Sequence, residues 1–374
     1  LVDFPQPAAQ LRDGSSPLPV FDFQSGRWRL QEELAAAGPA AGPSVTARLS
    51  LLDAPHDAQL YAAIRPYTAS GSTAGISKAQ VRSGQAWIDG QLALACTDCR
   101  DLSGGALVGT DASSVAAAGQ VPGEAGVSDP DGQAQVLLRA SLAPGQTATF
   151  VAPSTPAAGI GPAADFGAVS AAWQQRLHMV TLNLPDSQLQ DAYYASLAYI
   201  LVDEHGGRIH PGPLAHDKFF VRDAAAIGYA LERAGLTDAV SGTANGLLRV
   251  VAPDGQVADT SDSAGHALSH EELDSPGEVA FGLAEYARYS NDRAFLTRAY
   301  PTMVVALRRA MAGRDELGLV PPNRSAEDLG SWSAHHYWDD FWLLTGLQDA
   351  TWAAGQLGKS NDAVQFQGWQ TELR

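Results

Sequence analysis

Residues 216–231 bring together, in a short span, the side chains of this chain best suited to holding a polar ligand. His216-Asp217-Lys218-Phe219-Phe220-Val221-Arg222-Asp223 leads into Ala224-Ala225-Ala226-Ile227-Gly228-Tyr229-Ala230-Leu231, an alanine-rich helix pattern. The Arg222 fork and the Asp223 carboxylate can each engage two vicinal hydroxyls, which a single donor or acceptor cannot do. Phe219 and Phe220 can stack on a pyranose face or pack beneath the loop. A helix-capping Asp salt-bridged to its neighbour gives the same dipeptide, so both readings stand at this point.

The theme recurs twice, each time where a loop enters a helix. Glu271, Glu272, Asp274 and Glu278 crowd the run Glu271-Glu272-Leu273-Asp274-Ser275-Pro276-Gly277-Glu278. Ser275 or Asp274 can cap the following helix, with Pro276 in its first turn. That leaves Glu271 and Glu272 for hydroxyl binding or catalysis, or for a solvated loop. Farther on, Pro321-Pro322-Asn323-Arg324-Ser325-Ala326-Glu327-Asp328 precedes His335-His336-Tyr337-Trp338-Asp339-Asp340-Phe341-Trp342. Trp338 and Trp342 share one helical face, with Asp339 beside Trp342. Rings next to carboxylates suit a sugar subsite, although a packed core helix gives the same spacing. His335 and His336 diverge by about 100° on a helix, which argues against a shared metal ion. No loop has the ligand spacing of a calcium site, and no metal or cofactor is expected.

The elements that must position these residues divide into two kinds. Residues 1–165 read as β: period-two alternation runs through 45–52 and 58–65, with further strand candidates at 85–90, 91–96, 134–141 and 146–151. Turn residues punctuate them at the spacing of an antiparallel sandwich. The stretch 102–132 reads as long loop with a weak strand. A Pro/Ala/Gly-rich segment, 153–167, has the composition of a linker, and the domains are set at 1–165 and 187–374 with 166–186 between. Helices are expected over 187–203, 223–234, 237–251, 277–290, 292–299, 301–313, 336–357 and 361–373, with Pro301 opening a new helix. Asp186, Asp223, Asp238, Asp292 and Asp362 stand where an acid can cap free N–H groups. Short links between them make helical hairpins.

Composition narrows the partners. The chain of 374 residues has a net charge of −17 and is 45% hydrophobic. Such a balance argues against nucleic acid or an anionic membrane surface, and the apolar runs are too short to span a bilayer. The only cysteines, Cys96 and Cys99, form one Cys-x-x-Cys. No neighbouring ligands complete a zinc site, so the pair reads as incidental or as a local disulfide.

Taken together the three segments resemble the six-hairpin glycosidases, the glucoamylase- and trehalase-like enzymes built on an (α/α)6 barrel, many with an N-terminal β-sandwich. Phe220-Val221-Arg222-Asp223-Ala224-Ala225 is similar to the family's Trp-x-Arg-Asp-Ala-Ala element, with Phe220 in place of Trp. Glu272-Leu273-Asp274-Ser275-Pro276-Gly277 resembles its Asn-Asp-Gly-Pro segment, with Ser275 in place of Gly. The resemblance implies a β-sandwich followed by an (α/α) toroid, incomplete where the chain stops at Arg374. It implies a glycoside hydrolase, inverting, whose terminal sugar is held by Arg222, Asp223, Phe220, Asp274, Trp338, Asp339 and Trp342. Glu327 falls where the family's general acid lies, with Glu272 second. The family's base lies in the second half of the barrel, so the missing half is the expected partner and 374 residues alone are expected to give no turnover. A glycoside phosphorylase of similar architecture, or a non-catalytic carbohydrate-binding protein, would share these features.

Overall fold

Strand formation in the first half follows from pairing as much as from local propensity. The computed structural model describes residues 4–37, 43–67, 72–154, 159–213, 216–262, 264–270, 272–324 and 333–374. Two compact units are present, Leu1–Arg176 and Leu177–Arg374.

The first unit contains β1 (Ala8–Arg12), β2 (Ser16–Ser25), β3 (Trp28–Ala37), β4 (Ser44–Asp53), β5 (Ala58–Ile64), β6 (Lys78–Arg82), β7 (Gln85–Ile88), β8 (Gln91–Cys96), β9 (Arg100–Leu107), α1 (Ala112–Ala117), β10 (Gly126–Ser128), β11 (Gln135–Leu142), β12 (Thr147–Pro153) and α2 (Phe166–Leu177). A nine-stranded antiparallel sheet runs β1-β2-β3-β4-β12-β8-β7-β6-β10, and a three-stranded sheet runs β5-β11-β9. Ala79 and Ala86 of the large sheet meet Ala106, Val136 and Leu138 of the small one in the sandwich core. A second core cluster joins Leu51, Ala148 and Phe150 to Leu142 and Leu60.

β11 is buried on both faces, because α1 covers its outer side through Ala112 and Val115 against Leu137. The 102–132 stretch, expected as loop with a weak strand, thus holds the end of β9, the helix α1 and the strand β10. β2 and β3 were not foreseen individually. β2 carries Pro17 and Pro19, which sit where the pairing with β1 shifts register between Leu11 and Arg12, a place that tolerates a missing N–H. β3, Trp28-Arg29-Leu30-Gln31-Glu32-Glu33-Leu34-Ala35-Ala36-Ala37, has helix-forming composition, but pairing on both sides overrides it. Cys96 and Cys99 form a disulfide with a Cα–Cα distance of 5.7 Å, packed against the second core cluster. α2 occupies the first part of the 166–186 segment expected as linker, and its Phe166 packs on Leu18 and Ala35.

The second unit is helical: α3 (Ser187–Val202), α4 (Val221–Arg233), α5 (Thr237–Arg249), α6 (Ser275–Ser290), α7 (Arg293–Ala312), α8 (Tyr337–Gln356) and α9 (Ser360–Glu372). α4, α6 and α8 pack side by side, and α5, α7 and α9 lie against them as the second members of hairpins. This is an arc of an (α/α) toroid. α7 is one helix, correcting the expected break at residue 300: Pro301 lies inside it. Pro301 and Thr297 are both exposed, so water can take the carbonyl that the missing N–H leaves free. No described helix is long and apolar enough to cross a membrane.

α6 and α8 cross at two glycines. A Cβ on Gly277 would lie 2.2 Å from the Trp342 carbonyl oxygen, and one on Gly346 would lie 2.7 Å from the Gly277 Cα. Only glycine permits that approach, and it sets the start of α6 beside the first turn of α8.

Candidate functional site

The starts of α4, α6 and α8 converge on one guanidinium. Arg222, in the first turn of α4, donates from Nε and Nη2 to Asp274 Oδ2 at 3.0 and 2.7 Å. Its Nη2 also donates to Glu272 Oε2 at 3.1 Å, and its Nε lies 3.5 Å from Glu278 Oε1. From α8, Trp338 Nε1 donates to the same Asp274 Oδ2 at 2.6 Å, and the Trp338 ring lies 5.8 Å from the Arg222 guanidinium carbon. Asp274 therefore ties three helix starts together.

Asp259 organises the backbone around this cluster. Its carbonyl accepts from Val221 N at 2.9 Å, fixing the beginning of α4. Its Oδ2 accepts from Glu272 N at 3.0 Å and from the Ser269 hydroxyl at 3.1 Å. A small ribbon, Phe219–Phe220, Thr260–Ser261 and Ala267–Ser269, joins the two loops. Asp259 carries no sequence signal that separates it from any loop aspartate, and it was missed for that reason.

Burial sorts the acids. Asp274 and Glu278 have fully buried side chains, while Glu272 retains 24% and Arg222 18% exposure. Burial pushes the Glu272 carboxyl up to about 7; Arg222 opposes this, and the charges of Asp274, Asp259 and Asp223 add to it. Burial, then the charge of Asp274 and a hydrogen bond with it, hold Glu278 well above the usual carboxylate range. Asp339 is likewise raised, by burial first, and its Oδ2 accepts from Asn323 Nδ2 at 2.6 Å.

The other expected residues fall around this centre. Asp223 lies in the first turn of α4, whose N-cap is Phe220. Phe220 is half-buried, with its ring 6.1 Å from that of His216. Trp342 packs edge-on to Trp338 at 6.0 Å and to Phe281 at 5.5 Å, so its ring is engaged by neighbouring rings. Trp338 is 43% exposed, with Arg222 over its ring and Trp342 against it. His335 contacts the Val320 carbonyl and Asp315, whereas His336 contacts the Asn323 carbonyl. Glu271 and Glu327 lie outside the described residues. A cavity of about 620 Å³ opens beside the cluster, with Glu272, His270, Leu273, Pro276 and Pro321 in its wall. A half-buried acid near neutral pKa, an arginine fork and an exposed indole can together bind hydroxyls and deliver a proton.

No family model matches the chain. No curated protein matches it either. Solved structures do. A bacterial glucoamylase complexed with acarbose is 13% identical with a TM-score of 0.64, the match covering 98% of this chain and 57% of that one. A family GH92 α-mannosidase from Bacteroides thetaiotaomicron is 13% identical with a TM-score of 0.50, covering 94% of this chain and 50% of that one. The chain thus spans roughly half the length of these neighbours. At such identities the likeness concerns architecture, and it shows that this chain has the fold of the (α/α)6-barrel glycosidases with an N-terminal β-sandwich, the toroid being covered in part.

Proposed function

We propose that the second unit carries a sugar-binding and proton-donating part of a glycoside-cleaving site, most simply that of a glycoside hydrolase. The observation that supports this best is the Arg222 cluster, with Glu272 near a neutral pKa at its accessible edge and the part-exposed Trp338 beside it. The glucoamylase and mannosidase neighbours share the fold on which such sites are built.

In this reading Arg222 and Asp223 engage sugar hydroxyls and Trp338 stacks on the ring, with Asp339, Phe220 and Trp342 shaping the wall. Asp274, given to the substrate from sequence, has the different task of orienting Arg222 and Trp338, since its side chain is fully buried. Glu272 is the general acid: it keeps its proton near neutral pH and passes it to the departing glycosidic oxygen. In the same displacement a carboxylate on the opposite face takes a proton from the attacking water, the two groups standing roughly 6.5–9.5 Å apart in an inverting enzyme. Glu327 is the other candidate for the acid.

Calorimetric titration of the 374-residue chain with acarbose and a panel of α- and β-linked disaccharides tests the binding claim, beside R222A. Hydrolysis of the same panel by a protein carrying this chain within a complete toroid, with and without phosphate and beside E272Q and E327Q, tests the chemistry. Binding abolished by R222A supports the site. Cleavage only when phosphate is present would turn the reading to phosphorolysis, and absence of sugar binding across the panel would sink it.

A further inference from the structure

Glu278 is a fully buried acid at the site with no part in the steps above. It stands one helical turn after Asp274 at the start of α6, its N–H bonded to the Asp274 carbonyl at 3.2 Å. Neither Glu278 carboxyl oxygen, nor Asp274 Oδ1, has a hydrogen bond from any described N–H or from a hydroxyl. The two carboxyl groups share one cation, Arg222 Nε lying 3.0 Å from Asp274 Oδ2 and 3.5 Å from Glu278 Oε1, and burial, then the charge of Asp274 and a hydrogen bond with it, raise Glu278. Two ionised carboxylates in such contact, away from water, repel strongly and leave buried lone pairs unmet. Arg222 relieves this only in part, because its Nε and Nη2 are directed to Asp274 Oδ2. A proton between Glu278 and Asp274 Oδ1 supplies the missing donor and removes the repulsion.

We propose that Glu278 is a positioning residue: held as the neutral acid, it donates its O–H to Asp274 Oδ1, leaving Oδ2 to fix Arg222 and Trp338 for the sugar. The role rests on the carbohydrate reading, whereas the proton itself does not. The charged groups acting on Glu278 are Arg222 from α4 and Asp274 and Glu272 from the loop before α6. On α8, Asp339 acts on Asp274. Burial and Asp274 favour the neutral form of Glu278, and Arg222 opposes it.

The test compares the 374-residue chain, carrying carboxyl-¹³C glutamate, with E278Q and E278A. Infrared difference spectra at about pH 7, where an ordinary glutamate is ionised, should show a protonated-carboxyl band lost in E278Q and distinct from those lost in E232Q and E272Q, whose glutamates are also raised. The Trp338 indole N–H resonance should stay in place in E278Q, whose amide N–H still donates, and move in E278A. With acarbose, or the disaccharide bound most tightly in the panel, E278Q should bind within about twofold of wild type and E278A at least about tenfold more weakly. Raising the pH should weaken wild type while E278Q holds. Absence of the band, or E278Q behaving as E278A in both resonance and binding, overturns the proposal. A wild type that shows the band and the indole pattern but binds no sugar overturns the carbohydrate role and leaves the shared proton standing.

Discussion

On the proposal above, Glu272 is the single residue whose protonation decides the chemistry. Burial pushes its carboxyl up to about 7, outweighing the pull of Arg222. As a general acid it works only while protonated, so kcat should fall on the alkaline side through that value. Within a complete toroid, E272Q should lower kcat by about 10²–10⁴-fold, and an aryl glycoside with a good leaving group should recover most of the loss because its departure needs no proton. A pH–rate profile unchanged by E272Q would move the acid to Glu327. Trp338 offers a second check. Its indole N–H bonds a buried carboxylate, so W338F should cost about 1.5–3 kcal/mol of stability, the range for bonds to charged groups, read as a lowered denaturation midpoint. Arg222, Glu272 and Trp338 were legible as candidates because charged groups and aromatic rings crowd where loops enter helices, and the fold brings all three to one cluster. Glu278 could not, since an acid in the first turn of a helix also satisfies the helix dipole. Nor could sequence tell that Asp274 is buried, as that depends on Trp338, 64 positions away, closing over it.

At the scale of elements the site depends on how closely α6 and α8 approach. The Gly277–Gly346 crossing leaves no room for a methyl group on either helix. An alanine normally favours a helix over glycine by about 1 kcal/mol. Here overpacking of about 1–3 kcal/mol opposes that gain, so G346A should be neutral to destabilising. It should also weaken sugar binding, because pushing α8 outward draws Trp338 from Asp274. Thermal denaturation and acarbose titration of G346A check both halves, and a variant that is stabilised with binding intact would refute the coupling. α4 and α5 were legible from periodicity because each keeps a clear amphipathic stripe. β3 was illegible because its composition is that of a helix and only its neighbours β2 and β4 make it a strand. Pro301 misled for a related reason: its cost is met by solvent outside α7, which no local rule reveals.

At the scale of the whole molecule the acids are unevenly distributed in their environments. Asp203, Glu232, Glu272, Glu278, Asp339 and Asp349 of the second unit are all raised, against Glu32 in the first. Glu232 is the clearest case away from the site: buried at 3% exposure, it is pushed by burial up to about 8, with Arg288 opposing. A carboxyl raised in the folded state binds its proton more tightly there than in the unfolded chain. The stability this gives is fully present below the ordinary value of 4.5 and is lost as pH rises through about 8. The second unit should therefore be more resistant to unfolding at the acidic end of that window than at its alkaline end. Hydrogen exchange followed by mass spectrometry, corrected for intrinsic rates, can read α4, α6 and α8 separately from the sandwich. Protection in those helices should decline with rising pH, and E232Q, which cannot ionise, should flatten part of the decline. The sandwich strands should change less. A decline equal in both units and untouched by E232Q would instead assign the pH response to the net charge of −17, which acts on the chain as a whole.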